Sequence, residues 1–274
     1  MFPFPRWYEA IWQRRSRRLF YTRPVYPRIL EHLNTFCNEF RPFKEARAVL
    51  VNKSPEKVFK GILANYGKIR GAPAFIAFVG NIIDPHIHEK IGYTGEGVIL
   101  EATALNLGTC WVGVSFRPET AASLTFIGRN EKVFAVTPVG YAMEKWSFEE
   151  KVMTGFGRTH KRKALRDLVT GMNNNELPAW IKKALEAASE APSAVNRQPW
   201  RFYVEPDSIT ISVDNLSDTY KIPKRLDCGI AMLHIEIVSL NHDIQGEWEF
   251  LEPPDVARFK VKGLIDKERD CKEI

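Results

Sequence analysis

The apolar positions along the chain change period from helical to strand-like and back. Trp7, Ile11 and Trp12 form a helical stripe that predicts a helix over residues 7–18, ending in a run of arginines. Ile29, Leu33, Phe36 and Phe40 recur at helical spacing and predict a second helix in "RPVYPRILEHLNTFCNEF". "ARAVLV" and "APAFIAFVGN" are apolar runs of strand length, and "KVFKGILANYG" between them reads as a helix closed by Gly67. Residues 93–107, "YTGEGVILEATALNL", are apolar nearly all round, so the helix they form must be buried on every side. "TCWVGVSF" and "KVFAVTPVGYA" read as further short extended segments.

A polar stretch over residues 143–177 interrupts this series and reads as a passage between halves. Beyond it the order resumes. "PAWIKKALEAASEA" is a helix with Pro178 at its start, where proline is tolerated. "WRFYVEPDSITISVDN" is two strands around an Asp-Ser turn, "LDCGIAMLHIEIVSLN" is another buried helix, and "GEWEFLEP" closes the core. The two buried helices share a plan: "GEGVILEATALNLGTCW" and "GIAMLHIEIVSLNHDIQGEW" each run from Gly through an apolar body to Leu-Asn, a Gly and a Trp. That hints at an internal repeat of roughly 135 residues, with chance likeness of two buried helices as the alternative.

Composition narrows the class. The 274 residues suffice for a substantial core, and 45% hydrophobic with 26% charged residues is an ordinary globular balance. A net charge of +6 favours anionic partners, but the 33 acidic residues spread along the chain argue against nucleic acid. No apolar run reaches the ~18 residues of a membrane span, and the N-terminal segment lacks the order of a signal peptide. Cys37, Cys110, Cys228 and Cys271 are too scattered for a zinc site or a CxxC, so a reduced, cytoplasmic protein is expected.

Four stretches carry candidate chemistry. "RRSRRLF" (residues 14–20) offers arginine forks and a serine hydroxyl to an anion, or else a solvated basic face. "APSAVNRQPWRF" (residues 191–202) offers Ser193, Asn196 and Gln198 on a backbone stiffened by two prolines, a platform for a flat polar ligand, or else a loop that satisfies its own backbone. "LGTCWVG" (residues 107–113) brings glycines to the end of a buried helix, where a ligand can approach the backbone, and Cys110 there reads as packing rather than as a nucleophile. "DPHIHEK" puts His86 and His88 beside Asp84 and Glu89, and reads as a polar surface loop rather than a metal site. There is no GxSxG elbow, Walker loop or Ser-His-Asp pattern.

Arg14 to Arg18, Pro192 to Trp200 and Leu107 to Trp111 together resemble the FMN-dependent nitroreductase family, with its Arg-Arg-Ser-x-Arg segment, Pro-Ser-x-x-Asn-x-Gln-Pro-Trp loop and Leu-Gly-Thr-Cys-Trp helix end. In that family two identical subunits interlock around the flavin, and each site takes the phosphate segment from one subunit and the Pro-Ser-x-x-Asn loop from the other. Here the first motif lies in one half of the chain and the second in the other. The resemblance is therefore to a tandem, two-halved branch whose members act as monomeric pseudo-dimers.

That resemblance implies an α+β fold with a mostly antiparallel central sheet flanked by helices, and two related halves over residues 1–157 and 158–274. It implies FMN, with NADH or NADPH as donor and an electron-poor small molecule such as a nitroaromatic or quinone as acceptor. Arg14, Arg15, Ser16 and Arg18 match the segment that holds the FMN phosphate and ribityl chain. Pro192, Ser193 and Asn196 match the loop against the ring, and Gly113 and Val114 fall where backbone N–H groups meet N5. Arg162 and Lys163 resemble a basic segment returning to the phosphate, and Lys68 and Arg70 a pair near the pyrimidine edge. No catalytic side chain and no metal are implied, because the cofactor carries the redox chemistry. Two alternatives stay open: another flavin reaction, such as reductive dehalogenation or flavin breakdown, and a flavin- or nucleotide-binding protein without turnover.

Overall fold

The fold was determined as a computed structural model that describes residues 3–59, 69–144, 161–173, 176–218 and 221–264. Two buried helices form its centre. The first half contributes α1 (Phe4–Gln13), α2 (Pro27–Glu39), β1 (Ala46–Val51), α3 (Pro55–Phe59), β2 (Ala74–Asn81), α4 (Ile87–Ala104), α5 (Pro118–Thr125) and β3 (Glu131–Val139). Then follow β4 (Val169–Gly171), α6 (Ala179–Glu190), β5 (Trp200–Glu205), β6 (Ser208–Val213), α7 (Lys224–Asn241), β7 (Ile244–Phe250) and β8 (Asp255–Leu264).

α4 and α7 lie against each other, which is why both sequences are apolar on nearly every side. They meet at glycines. A Cβ on Gly92 would sit 2.1 Å from the carbonyl oxygen of Leu226, and one on Gly229 would sit 2.0 Å from that of Glu89. The contact is reciprocal: Gly229 lies as far along the chain from Gly92 as Leu226 does from Glu89. Only hydrogen fits at either crossing point.

The strands form two sheets rather than the single central sheet expected. β1-β2-β3 is antiparallel beside α4, and β4-β5-β6-β8-β7 is antiparallel except for β4, which runs parallel to β5. The antiparallel triplets β1-β2-β3 and β5-β6-β8 follow one plan. In each, the third strand comes after the central helix, and its pairing slips once, at Phe78/Val79 and at Ile211/Ser212. β2 is buried on both faces: Ile76 and Phe78 join the main core, while Phe75, Ala77 and Val79 face a second core with Val58, Phe116 and Ala121. Its unbroken apolar run follows from that.

Several elements differ from expectation. α1 stops at Gln13 rather than continuing to 18, because the arginine segment pairs with neighbouring backbone instead. "TCWVGVSF" makes only isolated pairings, Val112 with Val136 and Thr109 with Ser16, and forms no strand. β7 is an edge strand whose residues alternate in exposure, so it does not close the core. β8 inserts between it and β6. The sequence hid β8 because its alternate residues are charged, and Lys260 and Lys262 pair across to Glu249 and Glu247 at 2.7 and 2.6 Å. "DPHIHEK" is less a loop than the start of α4, with Glu89 fully buried. Most of the helix expected to end at Gly67, and the boundary at 157/158, lie outside the described residues. No described helix is long and apolar enough to cross a membrane.

Candidate functional site

The arginine segment leaves α1 at Arg14, whose N–H still reaches Ala10 O at 2.9 Å while its ψ of 129° turns the chain extended. From there the backbone threads between two others. Arg17 N–H donates to Thr109 O (2.7 Å), Arg70 N–H to Arg18 O (2.9 Å) and Phe20 N–H to Arg70 O (3.0 Å). A helix through these residues would stack like charges at i, i+3 and i+4. The extended path separates them and lays "RRSRRLF" beside both "LGTCW" and Arg70. Gly71, at φ +79°, makes room for Phe20 O, 2.2 Å from where a Cβ would stand.

Arg14 is 7% exposed. Its Nε lies 3.8 Å from Glu96 Oε1, and neither Nε nor Nη1 has a hydrogen-bond partner. Burial holds its pKa below the ordinary guanidinium value, with Glu96 opposing. Arg15 is exposed and folds its Nη1 back on Trp12 O and Arg14 O. Ser16 is half-buried beside Thr109.

From the other half, α6 ends at Glu190 and leads into the Pro-Ser loop. Val195, Asn196 and Gln198 have φ of 50°, 56° and 48°, a conformation that costs non-glycine residues of order 1 kcal/mol each. Polar side chains, of which Gln198 and Asp227 are buried, hold the loop there. Ser193 Oγ accepts from Gln198 N–H (3.0 Å), and Gln198 Oε1 accepts from Lys163 N–H (2.8 Å). Gln198 Nε2 donates to the carbonyls of Lys161 and Asn196. Asp227 of α7 accepts from Ala194 N–H and from Arg197 Nε at 2.7 Å. Burial raises Asp227 to about 6, against the opposing pull of Arg197.

Arg162 closes this half. Its Nη1 donates to Ala191 O (2.9 Å) and Asn196 Oδ1 (3.2 Å), and its Nη2 to Glu190 O (2.7 Å), so it caps the C-terminus of α6. Burial lowers its pKa; Glu190 opposes, while Arg14 and Arg15 add to the depression. Arg162 Nε lies 3.6 Å from Glu190 Oε2, and the charges of Arg14 and Arg15, from a distant segment, reach it. Lys163 Nζ donates to Gln198 O at 3.0 Å, which places it on the loop. Gly113 brings first-half backbone against the second half, where an added Cβ would meet Ile222 at 3.1 Å, and Val114 beside it is exposed. Arg70 is exposed and paired through its backbone to the arginine segment; Lys68 lies outside the described residues.

The motifs pointed to none of the buried groups Glu96, His234 and Asp227, and gave Trp111, at the end of "LGTCW", no partner. Glu96 accepts from Trp111 Nε1 (2.7 Å) and faces His234 Nε2 (3.2 Å). The available signal was a charged or polar residue inside each all-apolar helix, which burial tolerates only with partners. Among the described residues no cluster of His, Cys, Asp or Glu could hold a metal ion.

Antiparallel triplets around two crossed central helices define an α+β fold of the nitroreductase kind. The chain matches the family described as "Putative TM nitroreductase" over residues 6–239, and it belongs to that family. A structure described as a putative nitroreductase from Thermotoga maritima shares 22% identity, covers 94% of each chain and superposes with a TM-score of 0.64. An FMN-dependent nitroreductase from Clostridium difficile R20291 shares 18% identity over 50% of this chain and 88% of its own, at a TM-score of 0.41. An FMN- and NADPH-dependent nitroreductase from Sphigopyxis sp. strain HMH shares 15% identity over 61% of this chain and 99% of its own, at 0.47. Among curated proteins none matches the chain.

Proposed function

We propose that this chain is an FMN-dependent NAD(P)H oxidoreductase that reduces electron-poor small molecules such as nitroaromatics or quinones, with one FMN between the halves 1–157 and 158–274. The observation that carries the reading is the buried guanidinium of Arg14, whose Nε and Nη1 have no hydrogen-bond partner and whose nearest carboxylate is Glu96 at 3.8 Å, with the charges of Arg15 and Arg162 close by. A buried cation with open donors is costly unless an anion completes it. A phosphate of nearly two negative charges fits that donor set, so the residues present suit the phosphate end of FMN.

Arg14, Arg15, Ser16 and Arg18 would hold the phosphate and ribityl chain, with Arg162 behind them. Pro192, Ser193 and Asn196 would form the rigid surface for the ring, and Gly113 and Val114 would offer it backbone N–H groups. Bound there, FMN supplies hydride transfer from NADH or NADPH to the acceptor. The chain's own part is to bind, orient and exclude water. The buried thiols of Cys37, Cys110 and Cys228 accord with a reducing, cytoplasmic setting and take no part in the chemistry.

The reciprocal glycine contacts and the matching triplets support a pseudo-dimer. Two further observations support a single site. Lys90 and Asp227 stand at equivalent places on α4 and α7. Asp227 anchors the Pro-Ser loop through Arg197, while Lys90 anchors the corresponding loop after α2 through Glu45 at 3.1 Å. That corresponding loop is filled: Phe43 packs on Tyr93 and Phe250 with ring centroids at 5.2 and 5.5 Å, and Lys90 lies over both Phe43 and Phe250. The absorption spectrum of the purified protein tests the cofactor, and anaerobic bleaching by NADH or NADPH tests turnover. Flavin bands that neither donor bleaches would leave a binding protein without this activity.

A further inference from the structure

Glu96 and His234 are both fully buried, one on each central helix, under the arginine pocket. His234 Nδ1 lies 2.8 Å from Ala187 O, and a carbonyl only accepts, so Nδ1 carries a proton. Nε2 lies 3.2 Å from Glu96 Oε1. If the ring were neutral and Glu96 ionised, two acceptors would face each other at 3.2 Å in a buried site. A proton on either partner turns that contact into a hydrogen bond. The other groups around the pair do not remove the need for it. Trp111 Nε1 donates to Oε2 at 2.7 Å, and Arg14 Nε is 3.8 Å from Oε1. Arg15, Cys110 and Glu190 act on Arg14 from the adjoining segments.

We propose that His234 and Glu96 share one buried proton, and that this neutral pair keeps Glu96 from cancelling the charge of Arg14, which stays available to a phosphate group. His234 is thus a positioning residue, acting through Glu96 on Arg14; the phosphate clause rests on the FMN reading above. Without the shared proton, the full charge of Glu96 would fall on Arg14, 3.8 Å away, and would compete with the ligand.

The proton is read directly in the ligand-free protein at pH 7, from ring 15N–1H spectra of labelled histidine and the 13C shift of the Glu96 carboxyl. A doubly protonated His234, or an Nδ1–H ring beside a protonated Glu96, is the expected result. An Nδ1–H ring beside an ionised Glu96 overturns the proposal. The consequence is read in FMN affinity by fluorescence quenching, with urea denaturation to verify that each variant is folded. His234→Leu should weaken FMN by about tenfold or more, since the loss is of a charge-assisted contact. Glu96→Gln should stay within about threefold, and the double variant should recover most of the affinity lost by His234→Leu. A double variant as weak as His234→Leu alone would mean that His234 only fills space, and ends the proposal. An unmutated protein that binds FMN no tighter than riboflavin removes the phosphate site itself, a failure distinct from that of the shared proton.

Discussion

Arg162 Nη1 donates to Asn196 Oδ1 at 3.2 Å, and the same guanidinium caps α6 through Ala191 O and Glu190 O. One planar fork thus fixes both the end of a helix and the strained loop that follows it. Lysine has the charge but not the fork. Arg162→Ala should destabilise the protein by about 1–3 kcal/mol in urea denaturation, and Arg162→Lys should recover less than half of that. Full recovery by lysine would mean that only the charge matters at this position.

The phosphate reading orders the arginine variants. Arg14→Ala and Arg18→Ala should weaken FMN more than Ser16→Ala, because a charge-assisted bond is worth roughly twice a neutral one. Riboflavin affinity should change little in any of them. Equal losses for FMN and riboflavin would place these residues away from the phosphate.

Flavin stoichiometry tests the pseudo-dimer. Each chain should release one FMN on denaturation, measured as flavin absorbance against protein concentration. Asn196→Leu and Arg18→Ala should each empty that same site, although they lie in opposite halves. A ratio near two, or half occupancy surviving either change, would falsify the single-site reading and mean that Phe43 and Phe250 do not block the corresponding loop.

Asp227 makes a pH signature. Its folded pKa is about 6, above the ~3.9 of an unfolded aspartate. Between those values the folded state holds a proton that the unfolded chain has lost. Its contribution to stability is therefore complete below pH 4 and is lost as pH rises through 6. Urea denaturation from pH 4 to 7 should show that decline, and Asp227→Asn should flatten it. An unchanged profile in the variant would mean that Asp227 is ionised in the fold throughout.

The helix crossing leaves no room for a methyl group. Gly229→Ala places a Cβ 2.0 Å from Glu89 O, a backbone atom that moves only if α4 moves. The loss should exceed ~3 kcal/mol, at the upper end for overpacking. Alanine at Gly263, where nothing lies within 4 Å but φ is +156°, should cost far less. Similar losses at the two positions would assign the effect to glycine's backbone freedom rather than to the crossing.

The sequence by itself determined the elements whose signal is local. α4 and α7 are legible because burial on all sides demands an apolar run long enough for a helix, and β2 because burial on two faces demands a short one. The three motifs were legible too, since Arg14 to Arg18, Leu107 to Trp111 and Pro192 to Trp200 are each contiguous. What they share was not. Arg14 feels the charges of Arg162 and Glu190 across the chain, where α4 and α7 cross at Gly92 and Gly229, a contact between residues far apart in the chain. Backbone pairing with Thr109 and Arg70 overrode the helical propensity of the arginine segment and ended α1 early. β8 escaped notice because its charged face satisfies itself across to β7. Glu96 and His234 read as blemishes in apolar helices; only their 3.2 Å separation, with Ala187 O behind the ring, gives them a shared proton to account for. Periodicity reports which face of an element is dry, but the partner on that face is set by packing across the whole chain.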